Sequence, residues 1–236
     1  MADLRSLLFT IIFIGGTVPL CLFIALLAPF SRAAVQAGSH AWGRWFVLCA
    51  RVLAGVRLVV RGAVPNRPAL VAWKHQSAFE TYLTLALFEH PAVVRKQALR
   101  SIPLWGLIAA RHGSIFLDRG RGTAAMKTLI RESRDRVANG RPILIFPEGT
   151  RVAPGAQPPL KAGLAGLYAL LDLPVVPVAI NSGPHWPKGL VKNPGTITVA
   201  FGPDIPPGLS KEAMEARVHA AINADPTLAP VNDGAG

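Results

Sequence analysis

The segment Lys74-His75-Gln76-Ser77-Ala78-Phe79-Glu80 sets an imidazole five positions before a carboxylate. Histidine titrates near neutral pH, so it suits the removal of a proton from a hydroxyl. A carboxylate held against one ring nitrogen fixes the tautomer and leaves the other nitrogen to act as base. His75 and Glu80 are therefore the candidate catalytic pair. In a regular helix, residues five apart lie about 140° out of alignment, so the two cannot both sit in mid-helix and meet. Ser77-Ala78-Phe79-Glu80 has the capping-box form Ser-x-x-Glu, which starts a helix at Ser77 and lets His75 fold back from the preceding loop. The same box has a plainer reading, in which Glu80 caps the helix and His75 is a satisfied loop histidine. No Gly-x-Ser-x-Gly elbow supplies a nucleophile. Direct attack by a substrate alcohol needs only a base, an orienting acid and oxyanion donors.

Two more polar clusters follow apolar, strand-like runs: Gly113-Ser114-Ile115-Phe116-Leu117-Asp118-Arg119 and Phe146-Pro147-Glu148-Gly149-Thr150-Arg151. Guanidinium groups at two strand ends would clamp a phosphate bidentately, which makes Arg119 and Arg151 binding candidates. Alone, each arginine is also explained as a solvated charge. Their loop context sets them apart from Arg131, Arg134 and Arg136, which read as a solvated helix face. Gly149 allows a close backbone approach, and its N–H would help hold a tetrahedral oxyanion; the alternative is an ordinary turn glycine. Glu148 would accept hydrogen bonds from a glycerol hydroxyl or from loop backbone. Lys96 and Lys161 are further basic candidates.

The elements that must position these groups alternate. Residues 57–61, 70–73, 93–96, 114–117, 143–146, 175–180 and 196–201 read as strands, rich in Val, Ile and Phe and punctuated by Gly or Pro. Residues 78–88, 104–111, 123–138, 162–171 and 211–223 read as helices. The expected fold is α/β, a mixed central sheet covered by helices, with an N-terminal hydrophobic, membrane-associated helical segment. The expected organisation is a membrane-associated helical region over residues 1–57, a catalytic domain over 58–224, and a frayed tail over 225–236.

Composition supports lipid contact. Of 236 residues, 51% are hydrophobic and only 16% charged, which is apolar for a soluble protein of this size. The net charge of +12 suits anionic lipid, phosphorylated small molecules or nucleic acid, and the apolar composition favours lipid. Residues 7–30 carry no charge and would span about 36 Å as a helix, against a bilayer core of about 30 Å. Gly15-Gly16 and Pro19 interrupt the run, so a broken pair of shorter helices dipping into one leaflet is the alternative to a span. A cleaved signal peptide fits less well, because the run is long and Asp3 weakens its basic start. Arg32, Arg44, Arg51, Arg57 and Arg61 follow, which places the main domain on the cytoplasmic side. Residues 42–60 mix tryptophan with arginine, as a helix on an anionic membrane surface does; a helix packed on the domain reads equally well. Cys21 and Cys49 form no Cys-x-x-Cys pair and read as small hydrophobes, with no disulfide framework or metal site implied.

Taken in order, the blocks at His75–Glu80, Gly113–Arg119 and Phe146–Arg151 resemble those of the glycerolipid acyltransferase family, specifically its bacterial 1-acyl-sn-glycerol-3-phosphate branch, with a weaker fourth match at Val175–Ile180. The match covers about residues 58–205. The resemblance implies acyl transfer from acyl-carrier protein or acyl-CoA, as co-substrate, to a lysophospholipid hydroxyl, with no other cofactor. It implies His75 as base and Glu80 as its orienting partner. Arg119 and Arg151 would lie near the acceptor's phosphate with Glu148 and Gly149 beside them, and the membrane would be a bacterial inner membrane. The family's usual block is Asn-His-x4-Asp, whereas this chain has Lys74-His75-x4-Glu80. That His-x4-Glu form also resembles the lipid A acyltransferases, whose remaining blocks fit less well. One rival is an acyltransferase for a phosphate-free acceptor such as a lyso-ornithine lipid. Another is a non-catalytic basic protein binding membrane or nucleic acid, although no nucleic-acid motif or Gly-x-x-x-x-Gly-Lys phosphate loop is present.

Overall fold

A computed structural model describes residues 2–229, except the side chains of Ala2 and Arg119. Seven strands form one sheet: β1 (Val56–Arg61), β2 (Leu70–Trp73), β3 (Ala92–Lys96), β4 (Ile115–Leu117), β5 (Ile143–Ile145), β6 (Val175–Ile180) and β7 (Gly195–Phe201). Their order across the sheet is β1-β7-β6-β2-β5-β3-β4. Only β6 and β7 pair antiparallel, so the sheet is mixed, as expected from sequence. β2 lies between β5 and β6 and is buried along its whole length, which is why Leu70-Val71-Ala72-Trp73 is continuously apolar. Its residues still alternate between faces. Val71 and Trp73 join one core cluster, and Leu70 and Ala72 join the other.

Helices cover both faces. The Trp73 side packs under α1 (Ala2–Leu27), α2 (Arg32–Val52) and α3 (Phe79–Leu87). The Leu70 side packs under α5 (Gly122–Ala138), α6 (Ala162–Leu171) and α7 (Lys211–Ile222). A short α4 (Trp105–His112) leads into β4. Gly43 sits where α2 crosses α3: a Cβ there would lie 2.5 Å from the Ala86 nitrogen, so only glycine permits this approach.

The N-terminal segment differs from the broken-helix alternative. α1 continues through Gly15, Gly16 and Pro19 without interruption. Contacts on both sides of Pro19 hold it. Trp42 Nε1 donates to Thr17 Oγ1 at 3.0 Å, and Ile24 is buried beside Val35 and Ile108. Ser31 caps the following helix by accepting from the Ala34 N–H. The inward face of α1 buries Phe9 and Phe13 among Trp42, Phe46 and Trp186, while Leu7, Ile11, Val18, Leu22 and Leu26 face outward. Residues 3–27 are long and apolar enough to cross a membrane.

At the other end, Asp225 caps a 3-10 turn at Pro226–Leu228, and Arg61 donates to the Ala229 carbonyl. These contacts fall within the first residues of the expected tail, whose residues 230–236 lie outside the described residues.

Candidate active site

Strands β2, β3, β4, β5 and β6 run parallel, so their C-terminal ends share one edge of the sheet. Open α/β sheets bind ligands at that edge. His75 lies two residues beyond β2, Lys96 ends β3, Arg119 lies two beyond β4, Phe146 follows β5, and Ser182 lies two beyond β6. The edge opens into a cavity of about 610 Å³ whose wall includes His75, Tyr82, Arg95, Lys96, Gly149 and Arg151.

Glu80 is 0% exposed at the start of α3. Its carboxylate accepts from the backbone N–H groups of Gln76 at 3.0 Å and Ser77 at 3.0 Å. Ser77 Oγ lies 3.0 Å from Glu80 Oε2, and Ser182 Oγ donates to Glu80 Oε1. Half of the expected capping box is thus present, the half in which the carboxylate reaches back to Ser77. The Ser77 hydroxyl accepts instead from the Phe79 N–H, and the helix starts at Phe79. His75 Nδ1 lies 3.7 Å from Glu80 Oε2, too long for a hydrogen bond but close enough for the carboxylate's charge to act on the ring. The imidazole stacks on Phe146 with ring centroids 4.0 Å apart. The backbone N–H groups of Gln76 and Ser77 and the hydroxyls of Ser77 and Ser182 thus converge on one buried carboxylate beside His75.

The loop after β5 grips the other side of His75. Glu148 is 2% exposed and accepts from the His75 backbone N–H at 2.9 Å, while the His75 carbonyl accepts from the Val152 N–H at 2.8 Å. Lys74 Nζ donates to Glu148 Oε1 at 2.5 Å, and to Ala156 O and Asn223 Oδ1 at 2.6 Å each. Of the two roles expected for Glu148, the structure shows the backbone one: it braces the main chain of the base and presents no free carboxylate to a glycerol hydroxyl. Of the two readings of Gly149, the geometry shows the turn one. Gly149 has φ +75°, and its N–H donates to the Phe146 carbonyl, closing the turn instead of pointing at an oxyanion.

Arg151 and Lys96 are exposed and line the cavity. Lys161 does not line it; it precedes α6, and its backbone N–H donates to Pro147 O. The backbone of Arg119 opens a 3-10 turn after β4, with Asp118 accepting from the Gly120 N–H, and its side chain lies outside the described part of the structure. Arg136 differs from a plain solvated charge: it donates to the Gly113 carbonyl at 3.1 Å and pairs with Glu132. Among the described residues no cluster of His, Cys, Asp and Glu could hold a metal.

Sequence reasoning missed Ser182, Tyr82 and Arg95. Ser182 was open to detection, because it is the first hydroxyl after the fully apolar strand β6. Tyr82 and Arg95 lie inside α3 and β3, away from the polar loop clusters, and only the folding of those elements around one cavity brings them to it.

The sequence model of the Acyltransferase family matches residues 57–181, which contain His75, Glu80 and the 146–151 loop. The 1-acyl-sn-glycerol-3-phosphate acyltransferase of Pseudomonas aeruginosa is 37% identical over 208 residues, covering 85% of this chain and 80% of that one. The chain belongs to the acyltransferase family. The human 1-acyl-sn-glycerol-3-phosphate acyltransferase alpha is 29% identical to this acyltransferase over 143 residues, 59% of this chain and 50% of that one. In fold, the acyltransferase is similar to the crystal structure of the 1-acyl-sn-glycerophosphate (LPA) acyltransferase, PlsC, from Thermotoga maritima. The TM-score is 0.77 at 24% identity, over 94% of this chain and 95% of that chain.

Proposed function

We propose that this acyltransferase moves a fatty acyl group from a thioester, acyl-carrier protein or acyl-CoA, to the 2-hydroxyl of 1-acylglycerol 3-phosphate, giving phosphatidic acid. The observation that carries the reading is a histidine between a saturated carboxylate and an open, basic cavity, in a family whose curated relatives bear this activity in their names. His75 Nε2 takes the hydroxyl proton while that oxygen attacks the thioester carbonyl carbon. The tetrahedral intermediate expels the thiolate as the C–S bond breaks, and the thiolate takes the proton back from His75. The anion at Glu80 stabilises the imidazolium that exists between those two proton transfers. Arg151 and Lys96, with Arg119, supply positive charge for the acceptor's phosphate. No covalent enzyme intermediate is formed.

The apolar outer face of α1 supports membrane association, as suits an acceptor that resides in the bilayer. The arginines after the apolar segment support a catalytic domain facing the cytoplasm, and the resemblance to bacterial acyltransferases supports an inner-membrane location. The test is acyl transfer by detergent-solubilised protein from labelled acyl-carrier protein or acyl-CoA to lysophosphatidic acid and lyso-ornithine lipid, with His75→Ala in parallel. Phosphatidic acid that forms with the parent and vanishes in His75→Ala is the expected result. Transfer only to the phosphate-free acceptor would overturn the substrate assignment, and transfer surviving in His75→Ala would overturn the mechanism.

A further inference from the structure

Arg95 has no role in the reaction as described so far, yet it sits in the wall of the same cavity as His75. It lies in β3 and is only 6% exposed. Its Nε donates to Ser114 Oγ at 3.2 Å, and the guanidinium carbon lies 5.1 Å from the centroid of the Trp105 ring. Its two Nη atoms make no hydrogen bond to any described residue, and none of the described ion pairs includes it. Burial pushes its pKa down to about 10, so the group is still a cation at neutral pH.

Taking a cation out of water costs several kcal/mol unless an anion or a full set of acceptors compensates it. The buried Arg141 has more internal compensation: the carbonyls of His90, Pro91 and His112 accept from its Nε and Nη2, while its Nη1 has no partner among the described residues. Arg95 has one neutral hydroxyl and one aromatic ring. Tyr82, Arg95 and Arg151 line the same cavity. A guanidinium with a vacant Nη edge, in a cavity that also holds the reacting histidine, suits a planar, bidentate oxyanion.

We infer that Arg95 is a phosphate-binding residue of this active site, which takes the phosphate oxygens of a substrate on the Nη edge that the described protein leaves vacant. The inference rests on the acyl-transfer reading and extends it to a strand residue outside the motif blocks. The phosphate has two possible sources: the monoester of the lysophospholipid acceptor, or the phosphopantetheine arm of the acyl donor.

The experiment compares the full chain with Arg95→Met, which keeps side-chain volume without charge, and Arg95→Lys, which keeps charge without the fork. Acceptor and donor are varied in turn, and melting temperatures are taken with and without glycerol 3-phosphate. The expected result in Arg95→Met is a KM for 1-acylglycerol 3-phosphate raised tenfold or more, with kcat within threefold, the donor KM unchanged, and part of the loss recovered in Arg95→Lys. A rise confined to the donor KM assigns the same edge to the donor's phosphate. Since the charge lacks an internal partner, Arg95→Met should melt at or above the parent's temperature, whereas a purely structural arginine would lower it. Glycerol 3-phosphate should raise the melting temperature of the parent and not of Arg95→Met. This arm reads the site even if the parent transfers no acyl group, a failure that would sink the reaction and not the anion site. Unchanged KM values with an unchanged glycerol 3-phosphate shift would overturn the inference, as would a lowered melting temperature with a loss confined to kcat.

Discussion

Replacing Lys74 with methionine should strand a charge in the interior. The side chains of Lys74 and Glu148 are 3% and 1% exposed, and Nζ donates to Glu148 Oε1, Ala156 O and Asn223 Oδ1. Truncation leaves Glu148 with the His75 N–H as its remaining donor among the described residues. Removing one partner of a buried pair costs about 3–5 kcal/mol, because the other charge stays behind uncompensated. Two neutral acceptors also lose a donor, about 1 kcal/mol each where water does not replace it. Ala156 and Asn223 are half-buried, so water recovers part of that. The expected loss is about 4 kcal/mol, a large share of a stability of about 5–15 kcal/mol. In the double variant Lys74→Met/Glu148→Gln no charge is stranded, and the glutamine oxygen still accepts from His75. It should recover about 2–3 kcal/mol of the loss. Urea unfolding in detergent micelles, followed by tryptophan fluorescence, measures both quantities, and initial rates of acyl transfer show whether His75 has moved. If the two substitutions add to within about 0.5 kcal/mol, they are uncoupled and the account of Glu148 as a brace for the base fails.

Two further outcomes follow from named groups. Ser182→Ala removes a donor from the buried Glu80 carboxylate. It should lower kcat about tenfold at unchanged acceptor KM and cost about 1.5–3 kcal/mol of stability; an unaltered kcat would exclude Ser182 from positioning Glu80. Burial, followed by the charge of Arg141, holds the His112 imidazole down to a pKa of about 3. The folded protein thus keeps His112 neutral where the unfolded chain takes up a proton. Stability from this group is intact above about pH 6.5 and falls as pH drops from there toward 3, by about 1.4 kcal/mol per pH unit. His112→Leu should flatten that slope between pH 6 and pH 4.5 in urea unfolding, and an identical slope in both proteins would refute the assignment.

Much of this arrangement is legible in the chain because the signals are local. The strand runs and the helices of the α/β region fall within two residues of where periodicity and Gly or Pro punctuation put them. His75, the 146–151 loop and Lys96 reach one sheet edge because each follows or ends a parallel strand. What sequence did not reveal depends on the order of strands. Only because β2 lies between β5 and β6 does Glu148 arrive under His75 and Ser182 arrive beside Glu80. Pro19 misled for a related reason. A local breaker was weighed without Thr17–Trp42 and Ile24–Val35, contacts that hold the helix on both sides of it. Lys74 carried a readable clue, a charge directly after a fully apolar strand, but its partners Glu148 and Asn223 are far along the chain.

The first helix complicates any attempt to make this catalyst water-soluble by trimming. Phe9 stacks at 5.4 Å on Phe13 and meets Trp186 at 5.1 Å, edge to face, inside the same cluster as Phe46 and Phe79. Lys192 N–H donates to Ser6 Oγ at 2.9 Å, tying the helix to the loop after β6. Cutting the chain before α2 would strip Phe46 and Trp186 of the Phe9 and Phe13 rings that cover them and turn a lipid-handling enzyme into an aggregating one. The alternative is to repaint the helix rather than delete it: polar substitutions at Leu7, Ile11, Val18 and Leu22 alter only outward-facing positions and spare the inward aromatics.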